Sequence, residues 1–424
     1  MRVLIIADDL TGANDSVVRF AELGAKSVTI FNLNHNFKEL PYQAVAFTVN
    51  SRGVTPKEAY RLNRVALRDL KLTNEDMLYK KIDSALRGNI GVEIDAILDE
   101  VSPKAVLVAP ALPQNGRVTK GGYQLIDGIP VHKTEMANDP VTPVLESHLP
   151  TLLAATSSHR VGYLPLESIR AGLAKSVEIV LNLIAQGCRL IVADAVETSD
   201  LDLLAKLCTE NSKIVPCGSA GFAGALARHL FPLQPEESLQ SDNEPVSGII
   251  AAIIGSKSRN ASLQIEQALS GLVWLEEIVV NRMAIVLPEL RLKEVQNVIK
   301  LTEQGIARGK RGVIVRFDKN QGVGFDSLNA MDLAVGLGTV ARNLAERFKI
   351  AAFYLSGGDI AIQTVTEIGG WGMEIMTQLE PGVSSGMILG GPFEGLKVIT
   401  KAGSFGDPRT LARILRTINN RVEH

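Results

Sequence analysis

The chain has 424 residues, about two to three times the size of a typical domain, so two domains are the default expectation. Its hydrophobic content of 46% with 21% charged residues belongs to a globular protein, not a disordered or fibrous one. A formal net charge of −2 without a long cationic run argues against nucleic acid or membrane as a partner, and no run approaches the roughly 18 apolar residues of a membrane span.

The first stretch, Arg2-Val-Leu-Ile-Ile-Ala7, reads as a buried parallel strand running into the acidic loop Asp8-Asp9-Leu10-Thr11-Gly12-Ala13-Asn14-Asp15. A helix over 16–23 follows, stopped by Gly24. The loop lacks the Gly-x-Gly-x-x-Gly spacing of a dinucleotide site, and its acids suit a polyol hydroxyl or a metal ion better than a phosphate. A core strand this early leaves no room for a signal peptide. Cys188, Cys208 and Cys217 lack metal-ligand spacing and read as reduced thiols, so a cytoplasmic protein is expected.

Strands at 27–31, 44–48, 77–80 and 105–109 alternate with helices at 55–70 and 90–98, which predicts a parallel sheet with right-handed crossovers. The strand ends carry chemistry repeatedly: Asn50-Ser51-Arg52-Gly53, then Lys80-Lys81-Ile82-Asp83-Ser84-Ala85-Leu86-Arg87-Gly88-Asn89, then Gln114-Asn115-Gly116-Arg117. All should lie on the sheet edge that holds Asp8 and Asp9. Arg52, Lys81 and Arg87 together match a small carboxylate bearing hydroxyls, Arg as a bidentate fork and Lys as a point charge. Residues 119–130 read as a hairpin excursion, followed by a lid-like or connecting loop in which His132 is expected to be structural.

Alternation resumes with a helix around 171–185, a strand at 189–193, a helix at 199–209 and a strand at 213–216. Cys217 to Gly224 then enters a helix, its small residues suiting close helix–sheet packing, with an anion at the helix N-terminus as the alternative. Pro232 to Pro245 is polar, acidic and proline-flanked, and sets the domain division: 1–231, a linker at 232–247, and 248–424.

After the linker, Gly248 to Ile254 repeats the opening strand with a cationic, hydroxyl-bearing loop, Ser256-Lys257-Ser258-Arg259-Asn260, at a helix N-terminus. Helices at 292–308 and 328–348 and a strand at 312–316 precede the strand Ala351–Leu355, which ends in Ser356-Gly357-Gly358-Asp359 before a helix from Ile360. Two glycines there let backbone N–H groups wrap a phosphate. Gly336 and Gly338 lie inside a helical pattern and read as close packing. The last third is glycine-dense; Thr400 to Gly403 ends a strand, and Asp407-Pro408 has the signature of a closing helix. The fold expected is α/β in two domains, each a mostly parallel sheet flanked by helices, with the active site in the cleft between them. A polyhydroxy-acid crevice and phosphate-cradling loops suit phosphoryl transfer.

These residues resemble the four-carbon acid sugar kinases. Ile6 to Asp15 is similar to that family's opening motif, and Lys81-Ile-Asp-Ser84, Leu86-Arg87-Gly88-Asn89, Ser356-Gly357-Gly358 and Lys401-Ala-Gly403-Ser-Phe-Gly406 to its other signatures, over essentially the whole chain. Leu10, Ala85 and Asp359 stand where Phe, Thr and Glu are frequent. The resemblance implies ATP-dependent phosphorylation of the 4-hydroxyl of D-threonate, D-erythronate or 3-oxo-tetronate. Asn14 points to the first two, and D-threonate is the first choice. It implies that Asp9, Arg52, Lys81, Ile82, Asp83 and Ser84, joined by Arg87, hold the sugar acid. Nucleotide would contact Ser256, Ser356, Gly357, Gly358, Asp359, Ile360 and Gly403. No protein metal site is expected; Mg²⁺ would arrive on the nucleotide, and a homodimer is an open assembly state. Rivals are a kinase for another acid, a nicotinamide-dependent oxidoreductase, which lacks its fingerprint here, and a non-catalytic sugar-acid sensor. Asp8, Asp9 and Asp83 are the candidates for the catalytic base, with Asp9 preferred and Asp83 next.

Overall fold

The apolar run of the first strand, β1 (Arg2–Ala7), is fully buried from Val3 onward, which places it inside a sheet covered on both faces. The computed structural model describes residues 1–31, 40–231, 247–256, 258–318, 329–403 and 405–420. The chain divides into two compact units, Met1–Leu239 and Gln240–His424. The expected linker falls on 232–246, outside the described residues, apart from position 247.

In unit 1, β1 is followed by α1 (Leu10–Ala21), β2 (Ser27–Ile30), β3 (Ala44–Thr48), α2 (Pro56–Leu70), β4 (Asp76–Lys81), α3 (Ile90–Val101) and β5 (Ala105–Ala109). The predicted helix at 55–70 starts as expected, with Thr55 as its N-cap and Pro56 in the first turn. A small antiparallel sheet comes next: β6 (Arg117–Lys120), β7 (Tyr123–Ile126) and β8 (Ile129–Pro130). The expected hairpin gains its third strand because Asp127-Gly128 makes a second tight turn, with φ of +49° and +80°. The unit closes with α4 (Leu149–Thr156), β9 (Val161–Leu164), α5 (Leu166–Arg170), α6 (Leu173–Ala185), β10 (Leu190–Ala193), α7 (Thr198–Glu210), β11 (Ile214–Gly218) and α8 (Ala220–Leu230).

The main strands of unit 1 run in the order β2-β3-β1-β4-β11-β5-β10-β9, all parallel. The order reverses at β1, whose two neighbours both follow it in sequence. Such a switch opens a crevice beyond the carboxyl ends of β1, β3 and β4, where Asp8, Val49 and Ile82 begin their loops.

Unit 2 contains β12 (Ile249–Ile254), α9 (Arg259–Gly271), β13 (Leu275–Val280), α10 (Arg282–Val286), α11 (Pro288–Ala307), β14 (Gly312–Phe317), α12 (Ala330–Arg347), β15 (Ile350–Ser356), α13 (Gly358–Glu367), β16 (Gly372–Glu380), β17 (Val383–Leu389), β18 (Lys397–Lys401) and α14 (Thr410–Asn419). Its strands run β13-β14-β12-β15-β18-β17-β16. Those from β13 to β18 are parallel, and β17 runs antiparallel to both neighbours. Here the order reverses at β12, between β14 and β15.

Three sequence expectations need correction in unit 2. The antiparallel pair β16–β17 was not anticipated, because glycines at 382 and 386 masked two otherwise strand-like segments. The closing helix starts at Thr410; Asp407 accepts from the Arg409 N–H at 2.6 Å, so Asp407-Pro408 closes a turn ahead of it. The short helix α10 was not expected either, and it explains Gly336. A Cβ there would sit 2.9 Å from the Ile285 carbonyl oxygen, so Gly336 serves close packing as read. Among the described residues no helix is long and apolar enough to cross a membrane.

Candidate active site

In unit 1 the strand-end loops expected to converge do so. Asp9 is the N-cap of α1, its Oδ1 accepting from the Gly12 N–H at 2.7 Å. Arg52, from the loop after β3, reaches both acids: its Nε donates to Asp8 Oδ2 at 2.7 Å, its Nη2 to Asp8 Oδ1 at 3.1 Å, and its Nη1 to Asp9 Oδ2. The cap is therefore Asp9, and Asp8 is the brace. The side chain of Asp8 is 3% exposed and that of Asp9 25%, so Asp9 offers more surface to a ligand.

Beside this pair lies Asp83, whose two oxygens take Arg87 Nε at 2.9 Å and Nη2 at 3.1 Å. Arg87 Nη1 also reaches Asp139 Oδ2 at 3.3 Å, and Arg52 Nη2 stands 4.0 Å from Asp83. Lys81 donates to the Ile82 carbonyl at 2.9 Å; a Cβ at Gly12 would lie 2.8 Å from both Lys81 Nζ and Asp9 Oδ1. Ser84 Oγ accepts from Arg117 Nη1 at 2.5 Å. The structure thus gives Arg52 and Arg87 internal carboxylate partners, where free forks were expected.

The three acids have different proton affinities. Burial pushes Asp8 up, but Arg52 and then Lys81 outweigh it and hold its carboxyl below the usual range. Burial raises Asp9, and the neighbouring Asp8 charge adds to this beyond what Arg52 and Lys81 take back. Asp83 is held well below the usual range, because Arg52 and Arg87 overcome its burial.

A second layer fixes these loops. Lys80 and Glu93 form an ion pair at 2.7 Å with side chains 0% and 1% exposed, and Ser51 Oγ donates to Glu93 at 2.7 Å. Asn89 Nδ2 donates to the carbonyls of Ser51 at 2.9 Å and Val54 at 3.0 Å, pinning both sides of Arg52. Asn14 is buried and accepts from Thr29 Oγ1 at 2.6 Å. His132 Nδ1 lies 2.7 Å from Ser147 Oγ, which accepts from the His132 N–H at 2.9 Å.

In unit 2 the ends of β12, β15 and β18 lie side by side, Ser356 pairing in register with Ile254 and with Lys401. Gly357 has φ +116°, a region open to glycine, and its N–H donates to the Lys401 carbonyl at 3.0 Å before α13 begins at Gly358. Asp359 lies in the first turn of α13 and Ile360 is buried. Ser258 caps α9 and donates to the Gly403 carbonyl at 3.1 Å, while Ser256 Oγ donates to Ser258 Oγ at 3.1 Å. A Cβ at Gly403 would sit 2.8 Å from Ser256 Oγ. Ser256, the Ser356–Ile360 turn and Gly403 therefore share one edge, where two helix N-termini favour an anion. Lys257 and Ser404 lie outside the described residues.

The sequence did not show two features, the burial of Lys401 and the partner of Asp139. Lys401 is buried, its Nζ donating to the carbonyls of Ala402 at 2.6 Å and Gly403 at 3.0 Å, and burial pulls its ammonium down to about 8. Asp139 belongs to a segment read as a lid or connection; no local pattern shows that it reaches Arg87. Among the described residues no group of three or more His, Cys, Asp or Glu side chains is placed to hold a metal ion.

Residues 3–226 match the family described as a sugar-binding N-terminal domain, and residues 251–411 that described as a nucleotide-binding C-terminal domain. The chain is 31% identical to a D-erythronate kinase of Heliobacterium modesticaldum, over 96% of this chain and 94% of the relative. It is 31% identical to a D-threonate kinase of Salmonella typhimurium over 98% of both, and 28% identical to a 3-oxo-tetronate kinase of Haemophilus influenzae over 95% and 96%. A solved Salmonella typhimurium LT2 structure, described as a putative tRNA synthase, superposes with a TM-score of 0.80 at 24% identity, covering 98% of this chain and 99% of that one. A Haemophilus influenzae protein of the DUF1537 family gives 0.73 at 23% identity with the same coverage. These structural likenesses establish the fold.

Proposed function

This chain belongs to the four-carbon acid sugar kinase family, and from that premise we propose that it transfers the γ-phosphoryl group of ATP to the 4-hydroxyl of D-threonate, giving 4-phospho-D-threonate and ADP. The observation that carries the reading is the Asp8–Arg52–Asp9 cluster at the switch point of unit 1: carboxylates for hydroxyls stand beside the cations Lys81 and Arg87, a mixture suited to a polyhydroxy acid. Asn14 favours D-threonate or D-erythronate by family resemblance alone, since its amide oxygen is taken by Thr29.

Unit 1 supplies the acceptor site: Asp9, Arg52, Lys81, Ile82, Asp83, Ser84 and Arg87. Arg52 acts through the acids it holds. Asp9 orients the 4-hydroxyl and takes its proton as the oxygen bonds to phosphorus and the bridge to ADP breaks. Its raised proton affinity and its greater accessibility support this assignment over Asp8 and Asp83, both held ionised and weakly basic. Unit 2 supplies the donor site, with backbone N–H groups of the Ser356–Ile360 turn, Ser256 and Gly403 around the phosphates. Mg²⁺ carried with the nucleotide would neutralise phosphate charge. The three cysteines are free and buried, in keeping with a reducing compartment, and we place the protein in the cytoplasm.

Purified protein supplied with ATP·Mg²⁺ and a panel of four- to six-carbon sugar acids tests the proposal through acid-dependent ADP release. The expected result is the fastest release with D-threonate. Preference for D-erythronate or 3-oxo-tetronate would reassign the substrate, and ATP-independent binding alone would mark a sensor.

A further inference from the structure

The cations at the strand ends of unit 1 are not equivalent. Asp8 and Asp9 share Arg52, and Asp83 and Asp139 share Arg87. Four carboxylates therefore engage two guanidinium groups. A substrate carboxylate approaching Arg52 or Arg87 must compete with acids already in place, and displacing buried Asp8 would leave a desolvated charge without its partner.

Arg117 differs. Its side chain donates to a neutral group, Ser84 Oγ at 2.5 Å, and among the described residues no carboxylate pairs with it. Lys81, the last residue of β4 and just ahead of the loop that carries Ser84, likewise donates to a neutral group, the Ile82 carbonyl. Arg117 is half-buried and its base is fixed: its N–H donates to the Leu112 carbonyl at 3.2 Å, and its carbonyl accepts from Leu112 at 2.7 Å. The Ser84 end is fixed too, because Gln124 Nε2 donates to the Ser84 carbonyl at 2.7 Å. A held guanidinium with spare donors, one hydrogen bond from the loop that follows Lys81 and carries Asp83, is an anion fork that requires no internal acid to move.

We propose that Arg117, assisted by Lys81, binds the carboxylate of the sugar acid, while Arg52 and Arg87 organise the acids that bind its hydroxyls. The inference rests on the sugar-acid reading of unit 1. It makes Arg117 the residue that separates an acid from the corresponding neutral polyol. Ser84, whose oxygen accepts from Arg117, keeps its own proton for a substrate hydroxyl.

The test compares wild type, Arg117→Gln and Arg117→Lys in calorimetric titrations with D-threonate and with threitol, alongside kinetics and thermal melts. Wild type should prefer D-threonate. Arg117→Gln should lose about tenfold or more in D-threonate affinity, the scale of one charge-assisted hydrogen bond, with threitol binding and the KM for ATP unchanged. Arg117→Lys should recover part of the preference, because it keeps the charge and loses the fork. If Arg117→Gln retains the wild-type preference for the acid, or weakens acid and polyol equally, the assignment is wrong. Wild type binding the acid through Arg117 without phosphorylating it would support this inference and sink the kinase reading. Wild type with no preference for acid over polyol would overturn the inference itself.

Discussion

Arg52 grips Asp8 with two nitrogens, Nε at 2.7 Å from Oδ2 and Nη2 at 3.1 Å from Oδ1, and spends its remaining terminal nitrogen on Asp9. A residue whose type and position point to substrate binding is thus the organiser of the acidic loop. Bidentate geometry and burial make this pair stiff, so the proton affinities of both acids depend on it.

Removing Arg52 takes away the guanidinium that both acids share: Asp9 keeps the Gly12 N–H, and buried Asp8 loses its ion pair. Arg52→Ala should lower stability by about 3–5 kcal/mol, the scale for breaking a buried pair, and lower turnover along with it. Arg52→Lys should restore part of both. Chemical denaturation of the two variants checks this; a melt unchanged in Arg52→Ala would mean that the pair is not structural.

The three acids should separate in activity. Asp9→Asn keeps the shape, removes the proton acceptor and should cut turnover by roughly 10²–10⁴-fold. Asp83→Asn should act mainly on the KM for the acid, because Arg87 and Arg52 hold Asp83 too weakly basic to accept a proton. Single-turnover rates for Asp8→Asn, Asp9→Asn and Asp83→Asn, each checked for folding, decide the matter. Near-normal turnover in Asp9→Asn with none in Asp83→Asn would move the base to Asp83.

Much of this was legible in the sequence, and the reasons differ by element. The strand Val3–Ala7 and its acidic loop stood out because an apolar run ended by two acids has few alternatives. Thr55-Pro56 marked a helix start, and Gly357-Gly358 a tight strand-to-helix turn. What stayed hidden depends on long-range contact. That Arg52 faces Asp8, 44 positions away, follows from β3 and β1 being neighbours, which no local pattern states. The pair β16–β17 was obscured by glycines that open turns and bulges as readily as they break strands.

The proposed nucleotide edge makes a steric prediction. A side chain at Gly357 meets a backbone at φ +116°, and one at Gly403 meets Ser256 Oγ. Gly357→Val and Gly403→Val should each weaken ATP binding by about tenfold or more while leaving sugar-acid binding nearly intact. Calorimetry with ATP and with the acid separately reads this. Normal ATP binding in both variants would show that the nucleotide lies elsewhere.

Lys401 gives two opposite pH trends. Burial lowers its folded pKa to about 8 from the free value of 10.5. Between these values the unfolded chain binds the extra proton, so the contribution of Lys401 to stability is unfavourable below pH 8 and improves as pH rises to 10.5. Charge beside the proposed phosphate site is lost over the start of the same window, so ATP affinity should fall as pH passes 8. Lys401→Met should flatten both trends; a wild-type ATP affinity unchanged across that window would exclude a phosphate role for its charge.

The central claim is phosphoryl transfer to one hydroxyl of a four-carbon acid, and phosphorus NMR of the product tests it most directly. After incubation of the protein with ATP·Mg²⁺ and D-threonate, the account predicts ADP and a single new phosphomonoester, coupled to the two protons on C4. A monoester on C2 or C3, or ATP left intact in the presence of every four-carbon acid tried, would contradict it.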